Sequence, residues 1–433
     1  MSTKPTLEDI VSLAKRRGFI YPGSEIYGGL AGTFDYGPFG VSLKENIKRL
    51  WWSMFVTDRD DMYGIDAAIL MNPKAWEASG HVSGFNDPMV ECSNCKGRFR
   101  EDHLEDKNVC PSCGKKGTLG EARAFNMMFK TKAGATEDES ATIYLRPETA
   151  GGMFVNFKNV IDSFHPKLPF GLAQIGKAFR NEIAPRDFVF RVREFEQMEV
   201  EYFVRPDAWE QAFEEWHGIM RSFARAIGLS DSSVHDIEIA DGDRAHYSKR
   251  TIDIEFEYPF GQKELWGLAY RTDFDLSAHK NLSGEELSYF DEETKERIVP
   301  HVIEPSLGLD RTVLAVLTSA YTEDELGGEK RVYLKLPKAI APITVAVFPL
   351  LKNKPDLVAK ARTVYEMLKR AGVRVAFDDN GNIGKRYRRQ DEVGTPYCVT
   401  IDFDTLQDDT VTLRDRDTGE QTRVRADELI SRL

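Results

Sequence analysis

The stretch from Phe179 to Phe203, FRNEIAPRDFVFRVREFEQMEVEYF, constrains this chain more than any other. Two runs with alternating apolar residues flank a loop containing Pro185, which predicts a strand–loop–strand hairpin. Arg180, Glu182, Arg191, Glu194, Glu196 and Glu199 recur along it at mostly even spacing. In a strand, such spacing aims side chains at one face. One reading is a solvated face of cross-strand ion pairs, each worth a few tenths of a kcal/mol. The other is a surface on which arginines grip phosphate, carboxylates grip ammonium and the Phe195 ring stacks on a base. A second element, IEPSLGLDRTVLAVL from Ile303 to Leu317, favours the second reading. There an apolar strand delivers Glu304 and Ser306, a Gly-containing turn follows, and Arg311 opens an apolar helix.

At 433 residues, 41% apolar and 30% charged, the chain has room for two or three domains with sizeable cores. No run approaches 18 uninterrupted apolar residues, so no membrane span is expected. The N-terminal MSTKPTLEDIVSLAKRRG is too polar for a secretory signal, and a cytoplasmic protein is expected. A net charge of −12 argues against indiscriminate nucleic-acid binding, but the charge is uneven. From Ala341 onward 16 Lys/Arg stand against 15 Asp/Glu, a net of +1, which leaves −13 for the first 340 residues. The densest basic spot there is Lys385, Arg386, Arg388 and Arg389 around Tyr387. It reads as a contact to a nucleic-acid backbone or as a solvated helix face.

Residues 41–57, VSLKENIKRLWWSMFVT, place Ile47, Leu50, Trp51, Met54 and Phe55 on one helical stripe, and a strand-like DAAILM follows, ending at Asn72-Pro73. Trp51 and Trp52 point to opposite flanks, so one of them is a candidate to face a partner subunit. Cys92-x2-Cys95 and Cys110-x2-Cys113, fourteen residues apart, match a zinc ribbon with four thiolates, inserted at about 90–118. Four unmetallated cysteines are the alternative. Cys398, in the apolar YCVTI, reads as a small buried hydrophobe. Residues 145–275 read as strand-rich, with YLRPETAGGMFVNF counted among the strands and a helix near 207–227. Regular crossover helices are missing, so an antiparallel sheet is expected. From about 341, strand, helix with Pro355 at its start and Gly372 beyond its end, strand, a shorter helix near 384–393, and strands near 397–402 and 409–415 predict a compact α/β unit with a mixed sheet. The linker falls near LKLPKAIAP.

FRNE followed by RVREF resembles motif 2 of the class II aminoacyl-tRNA synthetases, and GLDR opening a helix resembles their motif 3. The 41–73 segment resembles motif 1, which in that family forms a dimer interface. SEIYGGLAGTFDYGPFG, YLRPETAGGMFVNFKN, AQIGKAF, YRTDFDL and GNIGKRYRRQDEVGTPYCVTIDFD extend the likeness over nearly the whole chain, toward the dimeric, single-subunit glycyl branch. The resemblance implies an α+β fold: a catalytic domain over 1–340, built on an antiparallel sheet flanked by helices, and an anticodon-binding α/β domain over 341–433. It implies ATP-dependent joining of glycine to tRNA through glycyl-adenylate, with AMP and pyrophosphate released, magnesium on the phosphates with help from Glu264 or Glu304, and a structural rather than catalytic zinc.

By the same resemblance, Arg180 would hold the α-phosphate and Arg311 the γ-phosphate. Glu182 would read adenine, Phe195 would stack on it, and Arg191 would lie near the distal phosphates. The ATP set extends to Asn181, Phe190, Val192, Arg193, Glu194, Glu264, Leu265, Gly308, Leu309 and Asp310. The glycine set comprises Arg100, Glu148, Phe195, Glu196, Gln197, Met198, Glu199, Arg271, Glu304, Pro305, Ser306, Leu307 and Gly308, with Arg100 and Arg271 on the carboxylate side. Every rival amino acid is larger than glycine, so a small rigid pocket is expected to select by steric clash. The chain departs from the family after RPETA, where Gly151 stands in place of the usual Gln. Lys385, Arg386, Arg388 and Arg389 would contact tRNA.

Overall fold

The computed structural model describes residues 5–135, 138–292 and 294–433; residues 1–4 of the polar N-terminal segment lie outside them. Its centre is a seven-stranded sheet of β1 (Met62–Gly64), β2 (Phe170–Phe179), β3 (Glu194–Val204), β4 (Val234–Glu238), β5 (Arg250–Tyr258), β6 (Gly261–Thr272) and β7 (His301–Gly308), in the spatial order β4-β5-β6-β7-β3-β2-β1. Pairing is antiparallel except at the β1 edge, which runs parallel to β2.

Alternation along β3 divides its side chains between two environments. Met198, Val200, Tyr202 and Val204 enter the main core, whose largest members include Trp51, Phe55, Trp216, Phe223 and Trp266. That core is capped by helices α2 (Pro38–Trp52), α6 (Trp209–Ala226) and α8 (Leu309–Ala320). Phe203, on the opposite face, joins Phe154, Phe157 and Phe170 in a second cluster beneath α5 (Ala150–Phe164). Between that cluster and the far end of the sheet lie Gln197, Glu199 and Glu201, beside Gln174 and Ser306 on the neighbouring strands.

The expected strand YLRPETAGGMFVNF is mostly helix, because α5 begins at Ala150. Its apolar residues Met153, Phe154 and Phe157 recur at helical spacing, a signal outweighed in the sequence by the β-rich surroundings. DAAILM forms no strand: Leu70 makes one isolated bridge to Leu145, and the carbonyl of Ala67 accepts from Arg146 at 2.7 Å instead of pairing in a ladder. Trp51 is fully buried in its own core and stacks on Phe55. Trp52 is half-buried over Gly64, where an added Cβ would come within 2.5 Å of its ring. Of the two indoles on opposite flanks, Trp51 is closed off and Trp52 is the one left partly open. Gly151 lies under Trp76, and a Cβ there would meet that indole at 2.9 Å, so the Trp76 ring occupies the space a longer residue would need.

Beyond residue 341 a five-stranded sheet is formed by β8 (Val345–Pro349), β9 (Val375–Phe377), β10 (Tyr397–Ile401), β11 (Thr410–Asp415) and β12 (Gln421–Arg425), ordered β9-β8-β10-β11-β12. The first two pairings are parallel and the last two antiparallel across β9-β8-β10 and β10-β11-β12. Helix α9 (Pro355–Arg370) packs Leu357, Val364 and Leu368 onto Val345, Val347 and Val399. Helix α10 (Ile383–Val393) starts at Asn382, whose side chain accepts from Lys385 N at 2.9 Å, and stops at Gly394 in the left-handed conformation. The polar edge strand β12, QTRVR, gave no apolar run by which to read it.

Candidate active site

The registers Gln197↔Gly308, Glu199↔Ser306 and Ser306↔Gly267 place polar and small residues from β3, β7 and β6 on one face. Small residues matter because bulk here would fill the space above the sheet: a Cβ at Gly267 would meet nothing within 4 Å.

One cavity is lined by Arg180, Glu182, Phe190, Arg191, Val192, Phe195, Gln197, Glu264, Leu265, Gly308, Asp310 and Arg311 among others. Arg180 is held from behind by its Nε donating to Pro147 O at 3.1 Å, and its guanidinium lies between the rings of Phe85 and Phe195, 5.4 and 5.3 Å from their centroids. Arg311 donates to the carbonyls of Phe190 and Glu264 at 3.3 and 3.1 Å and pairs with the Glu264 carboxylate at 3.0 Å. Backbone acceptors thus fix both cations without consuming their full charge. Glu182 Oε2, Arg191 Nε and Gln197 Oε1 are buried with no hydrogen-bond partner among the described residues. Such atoms in one cavity call for a polar ligand. Burial pushes the Glu182 carboxyl up, against the pull of Arg191 and Arg180.

The second cavity is lined by Glu148, Glu199, Glu304, Gly267 and Tyr247, and it shares Arg180, Gln197, Glu264 and Ser306 with the first. Glu199 accepts from Thr149 N at 3.0 Å, from Gln197 Nε2 at 2.8 Å and from the hydroxyls of Thr149 and Ser306. Arg271 donates to Glu304 at 2.8 Å and grips Asp275 with two bonds of 2.7 and 2.8 Å, while Tyr247 covers its face at 3.7 Å. Burial, with Glu199 and Glu148 adding to it, pushes Glu304 up to about 8 despite Arg271. Glu148 behaves oppositely. Burial would raise it, but His81, Arg271 and Arg180 together bring it down to about 2. Glu201 is fully buried with both carboxyl oxygens unpartnered among the described residues, and burial beside Glu304 pushes it well up. The carboxylates therefore have internal partners that the sequence did not reveal. This cavity is open on one side and reaches out to Ile239, Asp243, Arg244 and Ala245.

Several expected residues lie elsewhere, for reasons of strand parity and loop geometry. The six charged residues of the hairpin do not share a face: Arg180, Glu182 and Arg191 lie in the connecting loop, and Glu194 and Glu196 alternate away from Phe195 and Glu199. Glu194 pairs with Lys177 at 2.8 Å, and the Glu196 carboxylate turns to Lys44 and Lys48. Arg193 is spent on the carbonyls of Glu182 and Ala31. Met198, Leu307 and Leu309 sit in the main core, and Pro305 is buried between Glu304 and Ser306 on the other parity. Asn181 is tied through its amide to Met127 O and lines neither cavity. Arg100 pairs with Asp87 and Asp102 at 2.7 Å each and lies outside the carboxylate-lined cavity. Asp310 accepts from Tyr36 Oη and from Glu196 N, which anchors the start of α8.

Among the residues missed, Asp275 stands four after Arg271, a spacing readable as a helical ion pair. Thr149 follows Glu148 directly. Tyr247, His81 and Phe85 carried no local signal.

In the Cys92–Cys113 segment the four sulfurs lie within 4.8 Å of one another, with Cys92–Cys113 at 3.8 Å and Cys95–Cys110 at 3.6 Å. A tetrahedron with metal–sulfur bonds of about 2.3 Å has edges of about 3.8 Å, so the cage fits such an ion. The basic cluster does not fit its expected role as a unit. Five consecutive helical residues cannot share a face, and Arg386 is buried, donating to the carbonyls of Pro349, Asp379 and Gly381. Arg388 pairs with Glu329 and Arg389 with Asp378, while Lys385 remains exposed. No helix among the described residues is long and apolar enough to cross a membrane.

Comparison with known proteins matches residues 129–320 to the tRNA synthetase class II core domain (G, H, P, S and T) and residues 344–433 to an anticodon binding domain. The chain is 50% identical to a glycine–tRNA ligase of Clostridium tetani, covering 99% of this chain and 98% of the relative. It is equally similar to those of Acetivibrio thermocellus, covering 100% and 98%, and Geobacillus thermodenitrificans, covering 98% and 96%.

Proposed function

This chain belongs to the glycine–tRNA ligases of the class II synthetases, and from that premise we propose that it activates glycine with ATP and transfers it to tRNA through glycyl-adenylate. The observation that carries the residue-level reading is the junction of the two cavities at Arg180, Gln197, Glu264 and Ser306. A triphosphate in one and an amino acid in the other meet there. The glycine carboxylate attacks the α-phosphorus, pyrophosphate leaves, and the terminal ribose hydroxyl of tRNA later takes the glycyl group. The first step brings an anion against a polyanion, so the work falls to fixed positive charge. Arg180 neutralises the α-phosphate and Arg311 the distal end, while Phe195 and Glu182 receive the adenine. Glu148, Glu199 and Glu304 receive the ammonium. Glu264, half-exposed at the junction, would hold a magnesium ion, which supplies Lewis-acid charge on the phosphates.

The reading extends to two domains, 1–340 and 341–433, supported by their separate cores. It further extends to a structural zinc on Cys92, Cys95, Cys110 and Cys113, a homodimer, and residence in the cytoplasm. Lys385 and the outer surface of α10 are its candidates for tRNA contact. The test is glycine-dependent exchange of pyrophosphate into ATP. Glycine alone among the twenty amino acids is expected to support it, and exchange with another amino acid but not glycine overturns the reading.

A further inference from the structure

Residues 73–85 form two short helices, α3 (Pro73–Ala78) and α4 (His81–Gly84), outside the sheet and outside every motif read from the sequence. His81 Nε2 lies 3.3 Å from Glu148 Oε2, and its Nδ1 lies 2.7 Å from Ser79 Oγ. The ring is wedged edge-on between Trp76 and Phe85, at centroid distances of 5.6 and 5.3 Å, so it has little freedom to rotate. With the proton on Nε2, Nδ1 is free to accept from the Ser79 hydroxyl, and Nε2 faces the Glu148 carboxylate in a close polar contact. Glu148 cannot turn away without losing this contact. One of its oxygens is held, and the other is left for a ligand in the cavity it lines. Phe85, one turn beyond His81, covers Arg180 instead. One short segment thus braces a residue of each cavity.

We infer that His81 is a positioning residue for glycine: it orients Glu148 toward the substrate ammonium and is itself oriented by Ser79. The inference rests on the reading of the two cavities given above. A histidine acting only as packing would disturb both cavities through Trp76 and Phe85. One acting on Glu148 disturbs glycine alone.

The test is pyrophosphate exchange by the full chain, titrating glycine and ATP separately for the wild type, His81→Ala, His81→Gln and Ser79→Ala, with thermal melting as the check on folding. Failure of the wild type to activate glycine would sink the reading of the cavities and is distinct from any result with the variants. The inference expects His81→Ala to raise KM for glycine about 10-fold, the worth of a hydrogen bond to a charged group, with KM for ATP within about 2-fold. His81→Gln keeps an N–H donor and should recover most of that loss, and Ser79→Ala should show a smaller rise, again for glycine only. If His81→Ala does not fold, the other two variants decide. Equal increases in both KM values, a fall confined to kcat, or a folded Gln variant no better than Ala would overturn it.

Discussion

The two ends of the site solve opposite electrostatic problems. At the phosphate end Arg180 is fixed by a backbone carbonyl and ring faces, and Arg311 by two carbonyls, a ring face and the single carboxylate of Glu264, so most of the positive charge stays available. At the amino-acid end three carboxylates, largely shielded from solvent, have internal partners, Glu304 in Arg271, Glu148 in His81 and Glu199 in hydroxyl and amide donors, while Glu201 beside them has none among the described residues. A polyanionic ligand can supply its own countercharge to an exposed cation. A small zwitterion cannot pay to strip several buried carboxylates bare, so the protein holds them in a partly compensated network. The contrast teaches that the first end depends on charge kept available and the second on charge kept in place.

Removing charge at the phosphate end should therefore have the largest effect. Arg180→Ala and Arg311→Ala are each expected to lower pyrophosphate exchange by about 10²- to 10⁴-fold with unchanged thermal melting. Exchange within a few-fold of the wild type would dissolve the comparison. Next in size, Glu304→Ala removes a carboxyl group and leaves Arg271 with one partner fewer. We expect KM for glycine to rise by about 10- to 100-fold, well ahead of KM for ATP. Equal loss for both substrates would make the network structural.

Gly267→Val places two methyl groups in the open space above the sheet, and it should raise KM for glycine several-fold while the fold holds. An unchanged KM would mean that glycine sits elsewhere in the open cleft. The smallest effect concerns pH. The Glu304 carboxyl is displaced upward to about 8, and its ionised form is the one that attracts ammonium. The affinity for glycine should accordingly climb as pH rises toward about 8 and flatten above it, whereas that for ATP should not follow. A glycine affinity that falls over that interval would assign the charge the other way.

The parts of this architecture written in local spacing were legible in the sequence. The hairpin, the strand entering α8, the paired cysteines and the strand–helix alternation after residue 341 each declare themselves within about twenty residues. Parity errors arose where a strand ends in a loop: Glu194 and Glu196 looked continuous with Arg180 and Glu182 by count, yet the loop reset which way they point. Helix α5 was hidden because Gly151 and Gly152 open it, the hydroxyl of its N-cap Thr149 turns to Glu199 instead of the helix start, and its apolar stripe follows a sequence that begins as a strand. Arg386 looked like surface charge, and only the three backbone carbonyls converging on it explain its burial. Glu148's partner, His81, is 67 positions away and reaches it through a fold that no local pattern predicts.

The most direct test of the central claim is a crystal structure of the chain with a non-hydrolysable glycyl-adenylate analogue. The adenine should lie on Phe195, the phosphate surrogate beside Arg180 and the ammonium among Glu148, Glu199 and Glu304. An analogue bound with its ammonium toward Arg311, or wholly outside the junction formed by Arg180, Gln197, Glu264 and Ser306, would contradict it.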